Sequence, residues 1–385
     1  MKILVVSWSI LPRAGGTSVI VENLAKNFSA AEMLVVGARE LQLADVPERS
    51  LEQAQFRYFF SEISIMGRGN RFFDWFRRWR LPALIRQLKQ LIKTEKITHV
   101  IGVYPNVEYC LAASRAAQQM GVPFYSYFHN TYVENVAITD PKALDYQTEI
   151  FTNSQRVFVM SEGMQQFYIK KYQLDKFVPL VHTFAEYPSE TLLTGISEQP
   201  KKHYKLVAIG NFNESNLDAT RRFLNAIKGD PIFSFHVYTH VPKLLLQQRG
   251  LEVSQIHHHG SVAPTEIHVE LQKYDLCILT HGFTGGYGEV EYQTIFPTRT
   301  IPFLLSGKPI VAHSPDGSFL NNFIKKNHCA ELLDMTDEAI ILQRLKDLCA
   351  DVTQQKQLVA AAQKTSEQFY GKNVAQFLKE ELLIG

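Results

Sequence analysis

Short apolar runs alternate with amphipathic stretches along the whole chain. Residues 2–7 (KILVVS) are almost continuously apolar, as a strand buried on both faces of a parallel sheet requires. After a loop holding Gly15 and Gly16, residues Ile20, Leu24 and Phe28 recur every four positions, the spacing of an amphipathic helix. Further apolar runs at 33–36, 56–60, 98–103, 123–128, 156–160 and 178–181 predict strands, with helical patterns at 112–119 and 164–172. The alternation restarts with strands expected at 205–209, 232–238, 256–259, 276–279 and 310–312. Helices are expected at 216–228, 264–273, 318–326, 336–350 and through a tail at 353–383. Such β-α alternation implies parallel sheets with right-handed crossovers and helices on both faces. The expected class is α/β with two parallel-sheet domains, residues 1–187 and 203–352. A turn-rich stretch, 188–202 (PSETLLTGISEQPKK), links them.

Residues 67–96 break the pattern. Nine Arg and Lys stand there against Asp74 and Glu95, with Phe72, Phe73, Trp75, Phe76 and Trp79 between them. Pro82 divides the stretch, and beyond it Leu84, Leu88, Leu91 and Ile92 form a helical stripe. Two readings stand: a packing helix with a solvated basic face, or a surface that rests on an anionic membrane with aromatic rings at headgroup level.

Composition narrows the classes. At 385 residues two cores are expected, and 45% hydrophobic with 20% charged residues is ordinary for a globular protein. The net charge of +2 supplies no field for nucleic acid. Cys110, Cys277, Cys329 and Cys349 are far apart and read as buried small side chains in a reducing, cytoplasmic compartment. The apolar N-terminus is too short for a leader, and no run reaches the about 18 residues of a spanning helix. His257, His258 and His259 alternate faces on their expected strand, so they cannot converge on one ion; no metal site is expected.

The candidate chemistry concentrates in residues 281–315, HGFTGGYGEVEYQTIFPTRTIPFLLSGKPIVAHSP. A strand, a glycine-rich loop, Pro297-Thr298-Arg299, a short helix and a second strand suit an anion site at the carboxyl edge of a parallel sheet. Free N–H groups at a helix start and a forked guanidinium both take phosphate oxygens. Glu289 and Glu291 alternate, so on an extended loop both face one side and can bond sugar or ribose hydroxyls. The four glycines make this loop a candidate lid. Gly15 and Gly16 allow backbone to approach a ligand closely, and no G-x-G-x-x-G occurs there, which disfavours a dinucleotide oxidoreductase.

The segment FPTRTIPFLLSGKPIVA resembles the nucleotide-sugar segment of two-domain GT-B glycosyltransferases, family 4 in particular. That resemblance implies two Rossmann-like domains facing a cleft, and a tail, 353–385, crossing back to the first. It implies a sugar moved from a nucleotide-sugar donor to a glycan or lipid-linked acceptor with retention, as in surface-polysaccharide synthesis. The nucleotide sugar is a substrate; no other cofactor is implied. Arg299 stands where a branch of the family has lysine and is expected on the diphosphate with Thr298 and Thr300. His129, after the strand at 123–128, matches a histidine placed near the sugar hydroxyls. Gly15 and Gly16 match the loop against the donor. Asn211 lies on the first loop of the second domain, where the family has Gly-Arg and then lysine. The family's two glutamates are replaced: their places hold Thr294 and Pro302. That departure keeps open a non-catalytic GT-B subunit, or an epimerase or hydrolase. The expected catalytic set is His129, Arg299 and Glu291; the expected donor set is Gly15, Gly16, Asn211, Glu289, Thr298 and Thr300.

Overall fold

A computed structural model describes the chain except residues 14, 41–48, 63–69, 136–137, 185–195, 264–265, 287 and 385. Two compact units emerge: Met1–Ala185 with Phe369–Gly385, and Glu186–Gln368. Of the expected linker, 188–195 lies outside the described residues; 196–202 has no helix or strand.

The first unit holds β1 (Ile3–Ser7), β2 (Met33–Glu40), β3 (Gln55–Glu62), β4 (His99–Tyr104), β5 (Phe124–Phe128), β6 (Val157–Val159) and β7 (Phe177–Pro179). They pair in the order β3-β2-β1-β4-β5-β6-β7, every pair parallel. All five residues of β1 are buried, which is why the run at 2–7 is apolar without alternation. Crossovers are made by α1 (Gly16–Ala25), α2 (Asn70–Thr94), α3 (Val107–Met120), α4 (Ala143–Asn153) and α5 (Glu162–Tyr172). Strand order reverses between β1 and β4, the place where doubly wound sheets open a ligand crevice. The starts of α3 and α5 are fixed by side-chain caps, Asn106 accepting from Tyr109 N and Ser161 from Met164 N.

Pro82 does not divide the basic stretch: α2 runs through it. Leu84, Leu88, Leu91 and Ile92 are all buried, as their spacing predicted. One turn before the proline, Arg78 ion-pairs with Glu108 and Asp140, which tethers the helix where its ladder is weakened.

The second unit holds β8 (Tyr204–Ile209), β9 (Phe233–Tyr238), β10 (Ile256–His258), β11 (Leu276–Thr280), β12 (Ile310–His313) and β13 (Glu331–Leu333) in the order β10-β9-β8-β11-β12-β13, again all parallel. Its helices are α6 (Leu217–Ala226), α7 (Lys243–Gln248), α8 (Ile267–Leu271), α9 (Glu289–Thr294), α10 (Thr300–Leu304), α11 (Phe319–Asn327), α12 (Glu338–Ala350) and α13 (Val352–Ser366). The reversal falls between β8 and β11. The short α10 accepts Pro302 because it is the third residue of the helix, where the backbone N–H has no intrahelical partner to lose.

The tail is shorter than its periodicity suggested. Helix α13 packs on α10, α11 and α12 and stays with the second unit. Only from Phe369 does the chain join the first, through α14 (Gly371–Ile384), whose Leu382 carbonyl accepts from the Tyr125 hydroxyl at 3.1 Å. Among the described residues no helix is long and apolar enough to cross a membrane.

Candidate active site

In the second unit Arg299 lies across the reversal of strand order. Its Nη2 donates to the carbonyl of Thr280, the last residue of β11, at 2.5 Å. Its Nη1 lies over Gly210, just past β8, where an added Cβ would come within 3.1 Å. Gly210 also has φ +121, so both the backbone conformation and the guanidinium above it require glycine. Burial pushes the Arg299 pKa down to about 10, so the group stays charged at neutral pH. Among the described residues no carboxylate stands within ion-pair distance of it. A guanidinium has five N–H donors, and one bond to a carbonyl leaves most of its capacity unused.

Other unused polar atoms gather in the same unit. Thr300 Oγ1 and Asn216 Oδ1 are buried without a hydrogen-bond partner. An unmade bond at a buried polar atom costs about 1–3 kcal/mol, which makes these two atoms candidates for a ligand contact. The carboxyl end of β12 adds His313. Its Nδ1 meets the Leu333 carbonyl at 2.8 Å and its Nε2 meets Arg222 Nη1 at 3.1 Å. Arginine only donates, so Nε2 accepts and Nδ1–H donates: the ring is neutral. Arg222 also lies over the Phe283 ring, whereas Arg221 points away and donates to the Gly250 and Arg249 carbonyls.

The glycine-rich loop is tied down rather than free. Asp218 Oδ2 accepts from Phe283 N at 3.0 Å and Thr284 N at 3.2 Å, and Glu214 Oε2 accepts from Gly286 N at 3.2 Å. The Tyr292 hydroxyl donates to the Glu214 carbonyl at 2.6 Å. A Cβ on Gly285 would stand 2.0 Å from that hydroxyl, so close packing, more than mobility, explains this glycine.

In the first unit His129 immediately follows β5 and is buried. Its ring meets Tyr127 edge-on at 4.7 Å and His182 at 6.0 Å. Burial, and then His182, hold the His129 pKa well below the usual range; burial pushes His182 down to about 4. Both rings are therefore neutral at pH 7. Gly15 and Gly16 form the exposed start of α1. Nothing within 4 Å crowds a Cβ on Gly16, so packing inside the unit is not what demands glycine there.

The structure brings some predicted residues together and separates others. Arg299 and Thr300 share the carboxyl edge of the second sheet. Thr298 is exposed beside them. Asn211 is exposed on the β8–α6 loop, and its carbonyl accepts from Arg249 Nη1 at 3.1 Å. Glu289 and Glu291 do not face one side. They lie on α9, where residues two apart point nearly opposite ways. Glu289 is exposed and accepts from Gln293 at 2.8 Å; Glu291 is buried. Gly15, Gly16 and His129 belong to the first unit, and the other six to the second. Sequence reasoning missed Thr280, His281, Asp218 and His182. Thr280 and His281 carried a usable signal: they are the first polar residues at the carboxyl end of an apolar run. His236, His257 and His259 stack ring on ring, and among the described residues no group of three side chains could hold a metal.

Residues 14–184 match the family model described as Glycosyltransferase Family 4. No curated protein matches. Among solved structures, sucrose-phosphate synthase from Thermosynechococcus elongatus superposes with a TM-score of 0.73 at 15% identity, over 98% of this chain and 97% of that one. Anabaena HepE in complex with UDP and glucose gives 0.72 at 14% identity, over the whole of both chains. The lipopolysaccharide outer core galactosyltransferase WaaB gives 0.62 at 13%, over 100% and 99%. The fold expected from the motifs, two parallel-sheet Rossmann-like units of the GT-B type, is the fold observed.

Proposed function

We propose that this chain, which has the GT-B fold and matches the Glycosyltransferase Family 4 model over residues 14–184, is a glycosyltransferase that passes a sugar from a nucleotide-sugar donor to a hydroxyl of a glycan or lipid-linked acceptor. The transfer retains configuration, needs no bound metal and serves surface-polysaccharide or glycoconjugate synthesis. One observation carries the donor half: a charged, half-buried guanidinium, Arg299, spans the strand-order reversal of the second sheet with no counter-charge among the described residues. Breaking the anomeric C–O bond loads negative charge onto a diphosphate. Fixed donors and cations that already point at that charge lower the barrier. Arg299 holds the diphosphate, the Thr300 hydroxyl supplies a further bond, and His129 in the first unit bonds the sugar hydroxyls. Glu291 stays in the proposed catalytic set with His129 and Arg299, and Glu289, Asn211, Thr298, Gly15 and Gly16 stay in the proposed donor set.

Calorimetry with uridine, guanosine, adenosine, thymidine and cytidine diphosphates tests this, with and without a chelator. Because HepE was crystallised with UDP, uridine diphosphate is the first to try. One nucleotide is expected to bind, and chelation to leave the affinity unchanged. Failure of all five to bind sinks the donor site; loss on chelation that magnesium or manganese restores removes the metal-free claim.

A non-catalytic subunit is the second reading. It rests on Thr294 and Pro302, which stand where the family has glutamates; Thr294 is buried, its hydroxyl spent on the Val290 carbonyl. Nucleotide binding without turnover in any acceptor mixture favours it, whereas release of free sugar without an acceptor favours a hydrolase.

The exposed face of α2 supports a peripheral seat on the inner face of a membrane. Trp79 is 70% exposed, stacks with exposed Phe76 at 5.9 Å, and stands on the same helix as the exposed cations Arg86 and Lys93. Rings of this kind settle at headgroup level and cations meet anionic lipid. Sedimentation with phosphatidylglycerol vesicles at low salt should show binding that Trp79→Ala weakens several-fold. Equal partition onto neutral and anionic vesicles, or none, ends this part of the reading.

A further inference from the structure

At the amino edge of the first sheet, away from His129, the structure opens a cavity of about 330 Å³. It sits where α3 gives way to β5, beside the junction of α4 and β6. Phe124, the first residue of β5, lines it, whereas His129 follows the last. The strand between them spans roughly 16 Å at about 3.3 Å per residue, so the cavity is separate from the edge where the crevice opens. Its volume lies at the small end of the about 300–1,000 Å³ of small-molecule sites. Ser114 and Phe124 form its buried part, Val122 and Pro123 are half-buried, and Gln118 and Gln155 are exposed at its mouth. Nothing lies within 4 Å of a Cβ built on Gly121, so the cavity is open on that side.

Three carboxamides set the chemistry: Gln118, Gln155 and the half-buried Asn153. A carboxamide has two N–H donors and two acceptor lone pairs. Asn153 donates to the Ser114 hydroxyl at 3.2 Å, and the Tyr125 hydroxyl meets Gln155 Oε1 at 3.0 Å. Those bonds orient two of the amides and leave most of their capacity for a ligand. Among the described residues no charged side chain lines the cavity, and the nearby charges are spent. Arg115 forks onto Glu149 at 2.7 and 2.8 Å, and Arg156 donates to Glu381 at 3.2 Å. Lys176 donates to the Phe151, Thr152 and Ser154 carbonyls. An ion therefore finds no counter-charge, and an apolar molecule would leave amides unpaired at a cost of about 1–3 kcal/mol each. Neutral hydroxyls give and take hydrogen bonds as amides do, and the C–H face of a sugar ring suits Val122 and Pro123. We infer that this cavity is an accessory saccharide site, which holds one unit of a neutral glycan away from the reacting groups.

Occupancy needs neither donor nor turnover, so this site and the transferase reading stand or fall separately. Saturation-transfer NMR with glucose, galactose and N-acetylglucosamine at millimolar concentrations, and with inorganic phosphate as competitor, tests it on wild type and three variants. Gln118 is exposed on α3, so Gln118→Trp fills the mouth without entering the core. Gln155→Ala removes an amide without adding bulk and decides the question should the tryptophan unfold the protein. Arg299→Ala alters the other unit and serves as the control for sugar bound in the crevice. Wild type is expected to bind at least one of the sugars, and phosphate not to displace it. Gln118→Trp should weaken that binding at least tenfold at unchanged Tm and unchanged nucleoside-diphosphate affinity, Gln155→Ala should weaken it several-fold, and Arg299→Ala should leave it as in wild type. Saturation of no sugar by wild type overturns the site, as does equal binding in wild type and both glutamine variants. Displacement by phosphate overturns the neutral ligand class, and a signal lost only in Arg299→Ala moves the sugar to the crevice and overturns the site as well. Sugar binding that depends on Gln118, in a protein that transfers nothing, upholds the site and removes the transferase.

Discussion

Arg299→Ala weakens nucleoside-diphosphate binding by about 1.5–3 kcal/mol, the usual worth of a charge-assisted hydrogen bond, or roughly 10- to 150-fold in Kd. The effect on transfer is expected to be at least as large, because leaving-group charge is greater in the transition state than in the bound donor. The folded protein, by contrast, should lose little. The guanidinium is half-buried, bonds one carbonyl and faces no carboxylate among the described residues, so its removal also removes part of an uncompensated desolvation cost. Affinity and stability should therefore move independently, which an ordinary structural arginine would not allow. Arg299→Lys keeps the charge but not the planar fork and should fall between the two. Calorimetry with the diphosphate that wild type binds decides the matter; an affinity unchanged in Arg299→Ala refutes the assignment.

Acid should unfold this protein before its carboxylates titrate. Burial pushes His182, His281 and His313 down to about 4, and holds His129 well below its ordinary value. An unfolded histidine titrates near 6.5. Between about pH 6.5 and 4 the unfolded chain thus takes up protons that the folded chain refuses, so stability rises with pH across that window. It is complete above pH 6.5 and is lost as the pH falls toward 4. Each of the three shifts to about 4 has a ceiling of roughly 3 kcal/mol, and together they match the about 5–15 kcal/mol that holds a typical domain folded. Both units carry such groups, so both should melt early. Melting curves from pH 8 to 4 should show Tm falling steeply below 6.5; a flat Tm down to pH 5 contradicts the buried neutral rings. His313→Asn keeps a donor and an acceptor without the titration and should reduce the slope.

Much of the fold was legible because burial on both faces leaves an unmistakable mark. The runs at 2–7 and 276–279 became β1 and β11, and the stripe Leu84, Leu88, Leu91 and Ile92 became the inner face of α2. Errors arose where a local rule met a tertiary constraint. Pro82 reads as a break, yet α2 continues, tethered by Arg78 on Glu108 and Asp140. The alternation of Glu289 and Glu291 suits an extended loop as well as one helical turn, and two residues are too few to choose between periods of 2 and 3.6. The tail has one helical period throughout, so nothing local marks Phe369 as the point where it leaves one unit for the other.

The order of residues alone determined the class of fold and the two repeats of alternating strand and helix, and it singled out Arg299 as a candidate, because periodicity and turn chemistry are properties of neighbours in sequence. Only the tertiary structure decided what surrounds those residues. It placed Arg299 over Gly210 and Thr280, sent Asp218 to hold the glycine-rich loop, and set His182 against His129. Each of these is a contact between segments at least 19 residues apart. Which partner a charge finds, or fails to find, is settled by packing and desolvation that no local pattern encodes.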